Sequence, residues 1–393
     1  MYTGTAMMKI IINGHSIKAP LTGIGLYTRQ LFQGLKHNGR ITELICIPEN
    51  TGTIGKDIKK NSFSPIKKMI KSLPGTYTTF NQWRSLNFRR KTRLLAQKNF
   101  IYHEPSYILH PYAGPKVCTV HDLSHIHYPQ YHPRERVKFL SKQLAKSIAS
   151  AQHIITGSNF IRNEIINFFN VSPDKISVVY HGVSKRFQPY TQNELNPIAR
   201  YQLTKKKYLL SVATREPRKN IKRLLHAYSR LPASLRKQYP LVLIGSKGWN
   251  SVQLEKLIDK QVRKKEIYDL GYVPDLDLPY LYAGAAAFLY LSIYEGFGLP
   301  ILEALASGIP VIASNVSSIP EVMGTAGCLV NPFDVMSITE RLNEILNDPI
   351  LRDHLKQKGI VHAAQFSWET CITNTIGVYE SILASSSVTV LRS

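Results

Sequence analysis

The sequence is poor in cysteine and in acidic residues, and it has no long apolar run. Its four cysteines lie far apart and lack the spacing of a disulfide framework or a zinc site. The apolar run at 285–291 is far shorter than the roughly 18 residues that a membrane span needs. The N-terminus has no basic region followed by an apolar one, so it does not predict a secretory signal. We therefore expect a reduced, cytoplasmic environment and exclude disulfide-stabilised and membrane-spanning classes.

The scarcity of acidic residues leaves a net charge of +24, because 26 aspartates and glutamates face 50 lysines and arginines. Such a surface attracts nucleic acid, anionic lipid or acidic ligands. Many basic residues fall within 56–98 and are interleaved with aromatic and aliphatic ones. The basic ones are Lys56, Lys59, Lys60, Lys67, Lys68, Lys71, Arg84, Arg89, Arg90, Lys91, Arg93 and Lys98, and the apolar ones include Ile70, Phe80 and Trp83. This pattern favours a segment on an anionic membrane surface over a solvated loop. It also disfavours nucleic acid, since no nucleic-acid motif accompanies it.

Short apolar runs alternate with helical patterns along most of the chain. Strands are predicted at 9–12, 116–124 and 153–158 in the first half, and at 208–213 and 241–246 in the second. Alternation of this kind is typical of parallel sheets covered by helices on both faces. The fold class predicted is therefore α/β.

The length of 393 residues, with 44% of them hydrophobic, predicts two domains rather than one. A segment rich in Pro, Gln, Asn and Lys at 184–207 has the composition of a linker between the two domains. We expect a Rossmann-like domain at 1–186, a second at 187–371, and a docking helix at the end of the chain. In open α/β sheets, ligands bind at the carboxyl ends of the strands, so the site is expected in a cleft between the two domains.

The stretch EGFGLPILEALASGIP at 295–310 has the pattern of a loop feeding a helix. Its glycines permit a tight turn and a close approach to a ligand, and Pro300 suits the first helical turn. A helix N-terminus of this kind can bind an anion. Glu295 lies at the mouth of the loop and Glu303 about one turn into the helix, which suits a phosphate with a sugar on either side. The alternative is a helix entry with a charged face.

Glu295 and Glu303, separated by seven residues within EGFGLPILEA, resemble the signature of the GT4-type retaining glycosyltransferases of the GT-B fold. The resemblance covers most of the chain. It implies that Glu303 binds the nucleotide ribose and that Glu295 contacts the donor sugar and its diphosphate. It assigns further donor contacts to the backbone of Tyr272, Val273, Gly296, Phe297, Gly298 and Leu299, the first two against the nucleotide base. It also implies that the last helix, 372–393, packs back onto the first domain, which binds the acceptor.

His121 and Asp122 end a predicted strand of the first domain. A histidine there can bind a sugar hydroxyl or move a proton. The alternatives are a histidine bound by a backbone carbonyl, or a metal cluster with His125 and His127. The resemblance places His121 near the donor sugar and gives Asp122 the role of orienting it.

The motif EPRKN, at 216–220, follows a strand of the second domain and supplies cations for a diphosphate. The alternative is a basic helix start. Lys219 matches the diphosphate-binding lysine of the resembling family. The family often has arginine where this chain has Thr214, so either Arg215 or Arg218 is expected to take that role, with Arg218 favoured.

Two short motifs look like ligand sites without the complete pattern. Gly23 and Gly25 lie in TGIG, which lacks the full dinucleotide-binding fingerprint, although the resembling family places this loop against the donor diphosphate. Asp275 and Asp277 form an Asp-X-Asp motif, but Asp277 precedes a predicted helix and is interpreted as its N-cap. No metal or other cofactor is expected, because in the family cations and a helix N-terminus take the place of a metal ion.

These motifs predict transfer of a sugar from a nucleotide diphosphate with retention at the anomeric carbon. TGIG, TVHDLS and EPRKN together resemble bacterial mannosyltransferases of O-antigen or capsule synthesis, which implies GDP-mannose as donor and a lipid-linked or glycan acceptor. The enzyme would then work at the inner leaflet of the cytoplasmic membrane. The alternatives are a UDP-sugar transferase, an epimerase or a phosphorylase of the same fold. The charge alone also leaves open a basic nucleic-acid-binding protein.

Overall fold

The computed structural model describes residues 7–17, 21–48, 76–191, 193–194, 196–248 and 252–390. The chain forms two compact units. One comprises Met1–Tyr180 with Trp368–Ser393, and the other comprises His181–Ser367. These boundaries fall a few residues before the predicted ones. Of the basic stretch at 56–98, the part up to residue 75 lies outside the described residues, so the predictions for Lys56, Lys59, Lys60, Lys67, Lys68 and Lys71 do as well.

The first unit contains a parallel sheet of six strands in the order β2-β1-β3-β4-β5-β6. Its elements are β1 (Met8–Asn13), α1 (Gly23–Lys36), β2 (Ile41–Ile47), α2 (Thr76–Ala96), β3 (Phe100–Glu104), β4 (Lys116–Val120), α3 (Ser124–His127), α4 (Arg134–Ser150), β5 (His153–Thr156), α5 (Asn159–Phe169) and β6 (Ile176–Val178). The inner strands are buried on both faces: Ile10, Ile11 and Ile12 of β1 are wholly inaccessible. That burial explains the uninterrupted apolar runs in the sequence.

The second unit has the same construction, with a parallel sheet in the order β12-β11-β10-β7-β8-β9. Its elements are β7 (Leu209–Val212), α6 (Ile221–Arg230), α7 (Ala233–Gln238), β8 (Leu241–Ile244), α8 (Val252–Arg263), β9 (Ile267–Gly271), α9 (Leu278–Ala283), β10 (Ala287–Tyr290), α10 (Leu299–Ala306), β11 (Val311–Ser314), α11 (Ile319–Met323), β12 (Cys328–Val330), α12 (Val335–Asn347) and α13 (Pro349–Ala363). Successive strand residues enter opposite cores. Leu210 and Phe288 belong to one core, while Leu209 and Leu289 belong to the other. The period of two follows from the pleat of the strands.

The last helix, α14 (Trp368–Val390), packs against α1 in the first unit. Gly34 of α1 makes room for Ile372, since a Cβ at that position would overlap with the isoleucine side chain. Tyr379 contributes a buried hydrogen bond between its hydroxyl and His103 Nδ1, at 2.6 Å. Within the described part of the chain, no helix is both long and apolar enough to span a membrane.

Candidate active site

The loop before α10 has a backbone that only glycine adopts readily. Gly298 is the N-cap of α10 and has φ of 109°, and Pro300 follows within the first turn. A residue with a side chain would be strained at that φ, so the glycine is required by conformation. Pro300 has no N–H, and the N–H of Ile301 donates to the carbonyl of Gly298 at 2.9 Å. The N–H of Leu299 is therefore the donor of the first turn that can face an anionic ligand.

Two serines hold this loop in place. The backbone N–H of Glu295 donates to Ser317 Oγ at 3.0 Å. The hydroxyl of Ser318 lies 2.9 Å from the carbonyl of Glu295 and 3.1 Å from that of Phe297. The sequence did not point to either serine. Helix α10 and strand β11 separate them from the loop along the chain, and no motif or periodicity links the two segments. The serines hold the backbone from which the Glu295 side chain projects.

The Glu295 carboxylate is buried between two cations. Its Oε2 accepts from Arg218 Nη1 at 2.9 Å, and its Oε1 accepts from Lys219 Nζ at 2.6 Å. Glu216, which sequence reasoning also missed, accepts from the second Arg218 nitrogen at 2.8 Å. Burial alone would raise the pKa of Glu295, but Arg218 and Lys219 outweigh it and lower the pKa to about 2. The structure therefore brings three predicted residues together, with Glu295 ionised across the ordinary pH range.

Arg215 has different partners. Its guanidinium donates to Glu255 Oε2 at 2.7 Å and to Asp269 Oδ1. The side chain is 4% exposed, and both of these carboxylates lie on α8 and β9 rather than on the Glu295 loop. Of the two arginines left open by the sequence, Arg218 is the one beside Glu295.

Replacing Arg215 with alanine should destabilise the second unit by about 3 kcal/mol, because Asp269 would lose its buried cation and Glu255 would keep only the exposed Lys247. Urea unfolding of the purified protein measures this change. The matched control is Arg341→Ala, since Arg341 and Glu344 form an exposed pair whose loss should cost less than about 0.5 kcal/mol. Equal, small effects of the two substitutions would contradict the assigned role of Arg215.

Glu303 lies on the buried side of α10 and is 8% exposed. Burial raises the pKa of its carboxyl to about 7. Tyr282 and Arg186 work against that rise, and Asp275 adds to it. A carboxyl with this pKa changes its charge near neutral pH and can therefore control ligand affinity there.

The two residues predicted to contact the base directly follow β9. Gly271 has φ of 60°, and Tyr272 after it is 56% exposed, whereas Val273 is buried. Asp277 is the N-cap residue of α9, as predicted, but its side chain makes no capping hydrogen bond. Its carboxylate accepts instead from Arg200 at 2.6 Å and from the hydroxyl of Tyr201. A cationic partner within reach is a better ligand for a carboxylate than a neutral N–H group.

His121 follows β4 in the first unit. Its Nε2 lies 2.8 Å from the carbonyl oxygen of Pro105, and Tyr27 packs edge-on against the ring with centroids 5.0 Å apart. Burial lowers the pKa of His121. Asp122 Oδ1 accepts from the backbone and hydroxyl of Ser124, at 3.0 and 2.8 Å. The orienting partner seen for His121 is thus the Pro105 carbonyl, and the orienting role of Asp122 stays a prediction.

The other two histidines of this segment have separate surroundings. His127 Nε2 lies 3.1 Å from a carboxylate oxygen of Glu164, and His125 is buried. Burial lowers the pKa of His125 to about 4. No group of His, Cys, Asp and Glu within the described ranges is arranged to hold a metal ion.

Gly23 and Gly25 begin α1, where Thr22 accepts from the Gly25 N–H at 3.3 Å as the N-cap. A Cβ on Gly25 would lie 2.6 Å from the carbonyl oxygen of Ser16, whereas one on Gly23 would meet no atom of the described residues within 4 Å. Close packing therefore requires glycine at position 25, whereas packing against the described residues does not require it at position 23.

Comparison with known proteins identifies the family of this chain. Residues 22–187 match the model for Glycosyltransferase Family 4, and residues 197–362 match that for Glycosyl transferases group 1. The chain is 41% identical to the O-antigen chain mannosyltransferase B of Escherichia coli over 95% of this chain and 100% of that one. It is 26% identical to the O-antigen chain mannosyltransferase RfbU of Salmonella typhimurium over 87% of this chain and 93% of that one. Among solved structures, sucrose-phosphate synthase from Thermosynechococcus elongatus superposes with a TM-score of 0.74 at 21% identity, over 96% of this chain and 100% of that one.

The predicted fold class, two Rossmann-like units with parallel sheets, is confirmed by the two sheets and by this likeness. The predicted family is confirmed by the two matching models and by the 41% identity across the chain. The chain belongs to the GT4-type glycosyltransferases of the GT-B fold, the family of the bacterial O-antigen mannosyltransferases.

Proposed function

We propose that this enzyme transfers mannose from GDP-mannose, with retention at the anomeric carbon, to a glycan or lipid-linked acceptor in O-antigen synthesis. The main observation behind the proposal is that Arg218 and Lys219 both pair with the Glu295 carboxylate, in the loop that leads into the N-terminus of α10. The 41% identity to an O-antigen chain mannosyltransferase supports mannose as the sugar and O-antigen as the product.

The chemistry proposed is electrostatic. The departing nucleoside diphosphate gains negative charge as the bond to the sugar breaks. Arg218 and Lys219 would stabilise that charge together with the positive N-terminal end of the α10 dipole. Glu295 holds both cations in place before the donor arrives. Glu303, on the same helix, would accept the two ribose hydroxyls. The proposal needs no bound metal, because arginine and lysine supply the positive charge.

A donor screen tests the proposal. GDP should raise the melting temperature more than UDP or ADP, because a ligand that binds only the folded state stabilises it by mass action. With an O-antigen acceptor, GDP release from GDP-mannose should continue in EDTA. Conversion of donor without acceptor would indicate an epimerase, and formation of mannose 1-phosphate from the glycan and added inorganic phosphate would indicate a phosphorylase. Loss of activity in EDTA with recovery in Mg²⁺ or Mn²⁺ would overturn the metal-independent mechanism.

The acceptor's lipid carrier would bring the enzyme to an anionic membrane, and the first unit has a surface suited to it. Along α2, Trp83, Leu86 and Leu94 are 60%, 67% and 67% exposed. They share one face of the helix with the exposed Arg90, while Phe88 on the other side is buried. Exposed apolar side chains among cations are the composition of a helix that lies in a membrane interface.

Helix α4, which packs beside α2, carries a row of cations. Arg134, Lys138, Lys142 and Lys146 follow one another at intervals of four, on a single face of the helix. Like charges at this spacing destabilise a helix by roughly 0.2–0.5 kcal/mol per pair. An anionic surface would remove that cost and add roughly 1 kcal/mol of attraction per residue.

Substitution of this surface tests the membrane proposal. The variant in which Arg89, Arg90, Lys91, Lys138, Lys142 and Lys146 are replaced by glutamine should lose binding to phosphatidylglycerol vesicles, which the parent should bind at low salt and leave at high salt. Its melting-temperature response to GDP should not change, since GDP binds the other unit. The control replaces three lysines of the second unit, Lys256, Lys260 and Lys264, with glutamine. If the surface variant binds vesicles as the parent does, the proposal fails.

A further inference from the structure

Glu104, at the carboxyl end of β3, is a buried carboxylate that sequence reasoning did not single out. It is 2% exposed. Its Oε2 accepts from Asn13 Nδ2 at 2.5 Å and from the Tyr102 hydroxyl at 2.7 Å, and its Oε1 accepts from the N–H of Ser106 at 3.0 Å. Burial raises the pKa of Glu104 to about 7, although Tyr102, Asn13, Arg84 and Ser106 all lower it. Burying a carboxylate costs free energy, and here three hydrogen-bond donors offset part of that cost.

One peptide group connects Glu104 to His121. The N–H of Ser106 and the C=O of Pro105 belong to the same planar unit and point in opposite directions. The N–H donates to Glu104, and the C=O accepts from His121 Nε2 at 2.8 Å. A peptide N–H bound to a carboxylate makes its own carbonyl a stronger acceptor, because hydrogen bonds in a chain polarise one another.

This connection decides which nitrogen of His121 carries the proton. A carbonyl oxygen can only accept, so Nε2 must be the N–H. Burial lowers the pKa of His121, so the ring is neutral near pH 7 and Nδ1 has a lone pair. Tyr27 and Tyr107 pack edge-on against the ring, with centroids 5.0 and 5.8 Å away, and restrict its rotation.

We propose that Glu104 is a positioning residue for the transferase reaction: through the Pro105–Ser106 peptide it holds His121 as the Nε2–H tautomer, in which Nδ1 is the hydrogen-bond acceptor of the ring. In this tautomer the ring donates at Nε2, to the Pro105 carbonyl, and accepts at Nδ1. The catalytic part of this inference rests on the proposed mannosyl transfer. The tautomer itself does not.

Glu104→Gln tests the proposal, because an amide offers one acceptor oxygen where three donors now meet. In ¹⁵N NMR of histidine-labelled protein, with His121 assigned by comparison with His121→Gln, the parent should show the Nε2–H tautomer alone. The variant should show a mixture of tautomers. With GDP-mannose, kcat should fall about tenfold or more while the donor KM changes less than about twofold, since misplacing a reacting group by an ångström costs up to ~100-fold.

The double variant Asn13→Asp, Glu104→Gln exchanges the amide and the carboxylate across their hydrogen bond. The new amide nitrogen can donate to the new carboxylate and to the Tyr102 hydroxyl, while the amide oxygen accepts from the N–H of Ser106. The tautomer and most of kcat should therefore return. Glu43→Gln, an exposed carboxylate of the same sheet paired with Lys9, is the control and should change neither.

The proposal is overturned if Glu104→Gln keeps the parent tautomer, whether kcat falls or not, because Glu104 would then act only on stability. It is also overturned if the double variant restores the tautomer without kcat. If the parent does not use GDP-mannose at all, the proposed function fails, while the NMR comparison still decides the tautomer.

Discussion

Lys219→Gln is expected to lower kcat for mannosyl transfer by about 10²–10³-fold, the range seen when one preorganised donor to a developing anion is removed. Lys219 Nζ lies 2.6 Å from Glu295, in a pocket that leaves 11% of the lysine side chain exposed. A charge held in such a poorly hydrated place interacts strongly with a second anion, because little water screens it. Arg218→Lys should show the same direction of change, since a point charge replaces a fork that holds both Glu216 and Glu295.

The specificity of the loss distinguishes the diphosphate role from a structural one. Calorimetry with guanosine should give similar affinities for Lys219→Gln and the parent, whereas GDP should bind the variant more weakly. Lys222→Ala is the matched control, because Lys222 is exposed on α6 and three residues away along the chain. Equal losses for guanosine and GDP would assign Lys219 to the support of the loop instead.

Glu303→Gln is expected to weaken donor binding by about 1–3 kcal/mol, the cost of leaving hydroxyls without their acceptor in a buried place. The pH dependence should change as well. In the parent, GDP-mannose affinity should rise as pH increases through about 7, because the Glu303 carboxyl ionises there and only then accepts from both ribose hydroxyls. The glutamine variant should show no such rise. Calorimetry between about pH 5.5 and 8.5, on either side of that pKa, measures both, with Glu340→Gln, an exposed residue of α12, as the control.

The same group should affect stability in the opposite direction. The pKa of Glu303 is raised from 4.5 to about 7 in the folded protein. Between these values the folded state keeps a proton that the unfolded state has lost, so this group makes the ligand-free protein less stable as pH rises from about 4.5 to 7. Glu303→Gln should remove that contribution. If the parent and Glu303→Gln showed the same pH dependence of stability and of affinity, the Glu303 carboxyl would not titrate near pH 7.

Much of the fold could be predicted from local pattern. The run at 285–291 contains β10, and TGIG marks the start of α1, because strand burial and helix capping leave signals within a few residues. Asp277 is the N-cap of α9, as predicted, but its side chain binds residues outside the helix. Arg200 and Tyr201 lie far from it along the chain, and only the folded unit brings a cation to its carboxylate.

By itself the sequence determined two α/β units, the helix that begins at Leu299, and the cations and carboxylates around it, since strand alternation, a glycine turn and a charged motif are all local. Only the tertiary structure decided which arginine pairs with Glu295. Arg215 and Arg218 lie three positions apart in the sequence, but they pair with different carboxylates in the folded unit. The tertiary structure alone also showed Ser317 and Ser318 on the Glu295 loop, and Glu104 linked through one peptide to His121. Parallel strands join residues that lie far apart in sequence at one edge of a sheet, and their partners there are chosen by distance and desolvation, which no local pattern records.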